Sequence, residues 1–156
     1  MRALIQRVSS AKVTVAGEVT GQIERGLLVF VGLAREDTAA DGEWIIRKLL
    51  SMRLFEDENG KMGRSVQDIN GALLVVSQFT LYGDLRKGNR PDFGASMPGD
   101  AAKVFYETWV EQLKKATTLK VEQGRFAAKM AVELLNDGPV TLLIDSRETK
   151  ANAPTA

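Results

Sequence analysis

Two short polar segments carry the residue types that could do chemistry in this chain. Ser77-Gln78-Phe79-Thr80 puts two hydroxyls and a carboxamide where an apolar run ends. Asn136-Asp137-Gly138-Pro139-Val140-Thr141 sets a Gly-Pro corner between two apolar runs. The sequence contains no histidine and no cysteine. Ser-His-Asp and Cys-His nucleophile systems are therefore excluded. A zinc site would have to be built from carboxylates alone, which suits that metal poorly. No metal and no other cofactor is expected. An enzyme made from this sequence must use hydroxyls, amides, backbone N–H groups, charges or parts of its own substrate.

Neither Ser77 nor Thr80 has an evident base to activate it, so a hydroxyl nucleophile is chemically awkward. Backbone N–H groups at Phe79 and Thr80, left unpaired where a strand ladder ends, would instead stabilise a developing oxyanion. An ordinary strand end finished by hydroxyls explains the same four residues, and from them alone it is preferred. At Gly138-Pro139 the trans bond is the expectation from sequence alone. Proline freezes φ there and lacks a donor, so the corner would aim carbonyls in a fixed direction, suited to an ammonium group. A plain turn accounts for it equally well. A third segment, Arg86-Lys87-Gly88-Asn89-Arg90-Pro91-Asp92-Phe93, groups three cations around a glycine. It suits a phosphate backbone, and a solvated surface loop explains the same residues.

The elements that must position these segments are legible in outline. Lys12-Val13-Thr14-Val15 alternates, Ala16-Gly17-Glu18 can turn, and Val19 to Ile23 returns as a hairpin partner. Gly26 to Leu33 and Ala72 to Gln78 are continuous apolar runs, as in strands buried on both faces. Asp37 or Thr38 can cap a helix with Ile45, Leu49 and Met52 on one face and Trp44 beside them. Arg53-Leu54-Phe55-Glu56 reads as a short strand before the turn Asp57-Glu58-Asn59-Gly60. A second helix starts near Asp100, with Ala102, Phe105, Trp109, Leu113 and Ala116 as its expected inward stripe. Thr118 to Glu122 reads as a further strand. Met130 to Leu135 and Val140 to Asp145 read as strands joined by a β-arch or hairpin. The expected fold is α+β: a mainly antiparallel sheet curled into a β-barrel-like domain with two packed helices. Residues 1–148 are expected to form that one domain and 149–156 a flexible tail.

At 17.1 kDa, with 44% hydrophobic residues and a net charge of +1, the chain has an ordinary globular composition. Any nucleic-acid contact must therefore come from a local patch. No stretch approaches the roughly 20 apolar residues of a membrane span, and the start has no apolar leader run. A cytoplasmic protein is expected.

Taken together, Ser77-Gln78-Phe79-Thr80-Leu81-Tyr82-Gly83-Asp84 and Asn136-Asp137-Gly138-Pro139-Val140-Thr141 resemble the two signatures of the D-aminoacyl-tRNA deacylases. Gln6-Arg7-Val8, Gly26 to Val29, Ser65-Val66-Gln67-Asp68 and Arg86 to Pro91 agree, so the likeness runs from about Met1 to Asp145. Gly63-Arg64, Ala72 and Asp92 depart from the pattern, all outside the signatures. The resemblance implies a homodimeric, tRNA-binding hydrolase with a barrel-like α+β fold. It would split the ester between a D-amino acid and the terminal adenosine of tRNA, tolerating glycine, as translational proofreading. It also implies a cis Gly138-Pro139 bond that reaches into the partner subunit's pocket and rejects L-amino acids.

On that reading the Phe79 and Thr80 N–H groups face the substrate carbonyl, Ser77 and Gln78 shape the pocket near the adenosine, and Arg86, Lys87 and Arg90 meet the tRNA. Thr80 is a possible nucleophile in the family; lacking a base, it is expected to act as a positioner. The ester is already activated, and the neighbouring ribose 2′-hydroxyl is held beside its carbonyl. Two other readings are a non-catalytic nucleic-acid module using the Arg86–Arg90 loop, and an interaction protein whose Gly-Pro segment serves only dimerisation.

Overall fold

The computed structural model describes residues 1–148. The expected tail from Thr149 onward lies outside the described residues. Strand β1 (Arg2–Val15) organises the sheet. It pairs antiparallel with β2 (Glu18–Ile23), β3 (Gly26–Gly32) and β8 (Ala131–Asp145). Ala16 and Gly17, both at positive φ, make the tight turn that sends β2 back along β1. The antiparallel strands are not the whole sheet: β6 (Ala72–Ser77) lies parallel to β3, and β7 (Val121–Gln123) parallel to β6. A parallel neighbour needs a crossover, and the two helices supply them. Between β3 and β6 come α1 (Ala39–Ser51) and the small hairpin β4 (Phe55–Glu56) and β5 (Met62–Arg64). Between β6 and β7 comes α2 (Gly99–Ala116).

The sheet curls until β2 approaches β7. A Cβ on Gly21 would lie 2.8 Å from the Gln123 carbonyl oxygen, and Lys120 Nζ donates to the Gln22 carbonyl at 2.8 Å. Glycine is equally forced at Gly26, where a Cβ would fall 1.9 Å from the Ala72 carbonyl oxygen. One sheet face packs on the helices through Ala3, Ile5, Leu27, Val29, Leu73 and Val75. The other encloses Val8, Ala11, Val13, Leu28, Leu74 and Val76. Because both faces are covered, β3 and β6 are apolar up to Ser77, the last residue of β6.

Thr38 caps α1 in a reciprocal box with Asp41, and Ile45, Ile46, Leu49 and Leu50 are buried. The expected stripe of α2 needs correction. Ala102, Trp109 and Leu113 do face inward, but Tyr106 and Val110 join them while Phe105 is half-buried and Ala116 exposed. The helix is turned so that Trp109 Nε1 donates to the Gly42 carbonyl of α1 at 2.9 Å, which rolls Tyr106 under the sheet.

The second correction concerns the C-terminal strands. Met130 to Leu135 and Val140 to Asp145 do not form a hairpin with each other. Both run collinearly along β1, Asn136 opposite Val8 and Thr141 opposite Gln6. Residues 137–140 thus stand opposite Arg7 alone, as an extended bulge. The length of β1 explains this: fourteen residues offer each half of β8 its own ladder.

Candidate active site

Ser77 is the last residue of β6, paired with Val31, and the Gln78 N–H donates to the Val31 carbonyl at 2.7 Å. The ladder stops there. Phe79–Tyr82 winds into a single 3-10 turn, closed by the Gly83 N–H donating to the Thr80 carbonyl at 3.0 Å. Such a turn leaves its first N–H groups without internal partners. Among the described residues, neither the Phe79 nor the Thr80 N–H has a protein acceptor. The turn is held from both sides. Ser96 Oγ donates to the Phe79 carbonyl at 3.2 Å. Arg2 Nη1 donates to the Leu81 carbonyl at 2.9 Å, with its guanidinium 4.5 Å from the centre of the Tyr82 ring. Arg2 is itself fixed by Asp145 at 2.9 Å. Burial opposes ionisation of Asp145, but its hydrogen bonds from Arg2 and the Arg147 N–H prevail and hold the carboxyl below its ordinary value.

Beside this turn opens a cleft of about 550 Å³, lined by Ser77, Gln78 and Phe79 and otherwise mainly by apolar side chains including Met97, Tyr106 and Phe126. Among the described residues that line it, Tyr106 is the one with an ionisable side chain. Burial pushes the Tyr106 phenol well above its usual value, and its hydroxyl donates to the Val75 carbonyl at 3.3 Å. The described residues that line the cleft therefore offer no group that titrates near neutrality. Thr80, next to Phe79 in the turn, is exposed and accepts a hydrogen bond from Gln78 Nε2. Among the described residues its hydroxyl has no carboxylate or amine partner. Among the described residues no cluster of three His, Cys, Asp or Glu side chains could hold a metal ion.

Gly138 and Pro139 are exposed and joined by a cis bond, so the trans expectation drawn from the sequence alone is overturned. The bulge that carries them is anchored on β1. Arg7, 7% exposed, pairs its Nε with Asp137 Oδ2 at 2.9 Å and donates from Nη1 to the Leu54 carbonyl at 2.6 Å. Asn136 Nδ2 donates to the carbonyls of Arg7 at 2.9 Å and Val140 at 3.2 Å. Neither clamp was identified from the sequence. The signal was there, since Arg7 occupies an inward position after Ala3 and Ile5 in an alternating strand.

Within one chain the two segments do not meet. Arg7 opposes Leu27, which pairs with Leu73, four residues before Ser77. At roughly 4.8 Å between strands and 3.3 Å per residue, about 15–20 Å separates the bulge from Ser77. The bulge belongs instead to an unusual edge: β8 exposes Leu134, Leu135, Leu142 and Leu143, the last two 40% and 56% exposed.

The basic loop is a separate feature. Its ends are locked by reciprocal bonds between Asp84 and Asp92, at 2.8 and 2.9 Å. Arg86 folds back onto Asp84 at 2.6 Å, and this contact holds the Asp84 carboxyl down at about 2. Lys87 and Arg90 project without an ion-pair partner among the described residues.

Comparison with known proteins agrees with this geometry. The chain matches the D-Tyr-tRNA(Tyr) deacylase family over residues 4–145. A D-aminoacyl-tRNA deacylase of Thermotoga petrophila is 58% identical over 146 residues, covering 94% of this chain and 97% of the relative. That of Koribacter versatilis is 53% identical over 148 residues, covering 95% and 99%. Among solved structures, the c-Myc DNA Unwinding Element Binding Protein superposes with a TM-score of 0.88 at 45% identity, covering 93% of this chain and 98% of that one. A probable eukaryotic D-amino acid tRNA deacylase gives 0.80 at 17% identity, covering 92% and 98%, a likeness of fold. The chain belongs to the D-Tyr-tRNA(Tyr) deacylase family and is an enzyme, a hydrolase of the deacylase class.

Proposed function

We propose that the protein hydrolyses the ester of D-aminoacyl-tRNA in the cytoplasm, releasing free D-amino acid and tRNA, and works as a homodimer whose sites are completed across the interface. The observation that carries this reading is the pairing of two half-sites in one chain. One is a rigid turn with free N–H groups beside a cleft without a neutral-range base. The other is an exposed, clamped Gly138-Pro139 bulge that cannot reach that cleft. A second copy docked along the apolar β8 edge would bring the bulge of one subunit to the cleft of the other.

Chemistry follows from the parts. The Phe79 and Thr80 N–H groups donate to the carbonyl oxygen as negative charge develops on it. Ser77 and Gln78 border the ribose of the terminal adenosine. Activation of water is left to the substrate's own 2′-hydroxyl, held next to the ester by the binding geometry. The carbonyls of Gly138 and Pro139 receive the ammonium group, leaving one side-chain direction open and blocking its mirror image with main chain. Glycine has no side chain to block, so glycyl-tRNA should also be cleaved. Rejection by rigid main chain exceeds what an apolar pocket can achieve by preference. Lys87 and Arg90 contact phosphates; Arg86 shares its charge with Asp84.

The assembly part of this reading is tested with Leu143→Glu, which puts a charge in the apolar edge without touching cleft or bulge. A monomer with little deacylase activity is expected. A monomer with full, D-selective activity would remove the cross-subunit site. The similarity to a DNA-binding protein leaves a non-catalytic nucleic-acid module as the second reading, and it predicts tRNA binding without ester cleavage.

A further inference from the structure

We propose that the Phe79 ring, backed by Phe93, is a stacking surface for the base of the nucleotide preceding the aminoacylated adenosine in the unpaired 3′ end of tRNA. The inference rests on the deacylase reading above and adds a second nucleotide subsite to it. Phe79 is 58% exposed, the one aromatic among the exposed large hydrophobic side chains of the described residues. It stands on the lip of the cleft. The ring is not loose: Phe93 meets it edge-on, centroids 4.9 Å apart at 69°, and the Phe79 carbonyl is held by Ser96 Oγ at 3.2 Å. A fixed, solvent-facing ring at the mouth of a binding cleft is an arrangement that stacks bases without reading their sequence.

The surroundings favour a nucleic acid over an apolar protein surface. Phe93 closes the loop that carries Lys87 and Arg90, two cations with no ion-pair partner among the described residues. Arg35 reaches the same loop, donating from Nε to the Gly94 carbonyl at 2.7 Å. Leu142 and Leu143 of the apolar β8 edge stand opposite Ile5 and Leu4, on the side of β1 away from β3, whereas Val132 at the start of the same strand lines the cleft. A strand whose adenosine enters the cleft would therefore lay its next base on Phe79 and its phosphates toward Lys87 and Arg90.

The test compares two small substrates, 3′-O-D-tyrosyl-adenosine and D-tyrosyl-cytidylyl-adenosine, with the intact dimer. The wild-type protein should prefer the dinucleotide in kcat/KM by about 5- to 100-fold, the range of one base stack. Phe79→Leu, which keeps an apolar side chain, should lose that preference, and Phe79→Tyr should keep it. A dinucleotide preference unchanged in Phe79→Leu, or absent in the wild type, would overturn the inference while leaving the deacylase reading intact. So would conversion of Phe79→Leu to a monomer, which would assign the ring to the subunit contact. A wild-type protein that cleaves neither these substrates nor D-tyrosyl-tRNA would overturn the deacylase reading itself.

Discussion

Arg7 of β1 and Asp137 of the β8 bulge form an ion pair at 2.9 Å, with the arginine nearly buried and the aspartate 41% exposed. The same guanidinium donates to the Leu54 carbonyl at 2.6 Å, so one side chain ties together β1, the bulge and the segment after α1. Gly138 and Pro139 gain a defined position from this anchor on β1.

Replacing that anchor should therefore cost both order and activity. Arg7→Met keeps length and apolar stem but leaves the Leu54 carbonyl and Asp137 without their donor. Stability should fall by about 1–3 kcal/mol, discounted from a fully buried pair because Asp137 is partly solvated. Urea denaturation measures it. Deacylation of D-aminoacyl-tRNA should drop further than the folded fraction does. A stable variant with unaltered activity would show that the bulge needs no anchor.

Gly138 is expected to matter for what docks on it and not for its own fold. A Cβ there would meet only Asn136 Oδ1, at an ordinary 3.4 Å, so the isolated chain has room for alanine. Gly138→Ala should keep its melting temperature within about 2 °C, less than 1 kcal/mol for a domain of this size. It should nevertheless lose activity, or lose discrimination between D- and L-substrates. Unchanged selectivity in the folded variant would detach the bulge from the chemistry.

The absence of a neutral-range base in the cleft gives two linked expectations. Thr80→Ala should reduce the chemical step by less than about 100-fold, since the donor retained is the main chain; a loss of about 10³-fold or more would assign a direct role to the hydroxyl. The kcat profile from pH 5 to 8 should show no bell from paired protein groups. Tyr106 is raised and stays protonated across that range. Asp84 is depressed to about 2, so its contact with Arg86 is complete above the ordinary aspartate value and disappears only as pH falls through about 2. A bell-shaped kcat profile near neutrality would place an unrecognised acid or base in the site.

Much of the fold was legible because burial leaves a simple trace. Gly26 to Gly32 and Ala72 to Val76 are apolar without alternation because helices cover one face and the curled sheet the other. A helix cap at Asp37 or Thr38 was readable locally; the structure assigns it to Thr38, in a box with Asp41. What escaped was set by distant partners. Met130 to Leu135 and Val140 to Asp145 look like a hairpin from their corner alone, and only the length of β1 decides that they run in line. Tyr106 replaces Phe105 in the α2 stripe because Trp109 must reach Gly42. For the site, the 77–80 segment stood out by polar residues after an apolar run, but those four residues alone read as an ordinary strand end, and only the resemblance singled them out. The anchoring roles of Arg7, Asn136 and Ser96 were not legible, because their acceptors include carbonyls far away in the chain.

The most direct measurement is deacylation of matched D- and L-tyrosyl-tRNA by the purified protein under identical conditions. A filter made of main-chain atoms predicts that the D-ester is cleaved faster in kcat/KM by roughly 100-fold or more, with no added metal or cofactor. Equal cleavage of the two esters, or binding of both with cleavage of neither, would contradict it.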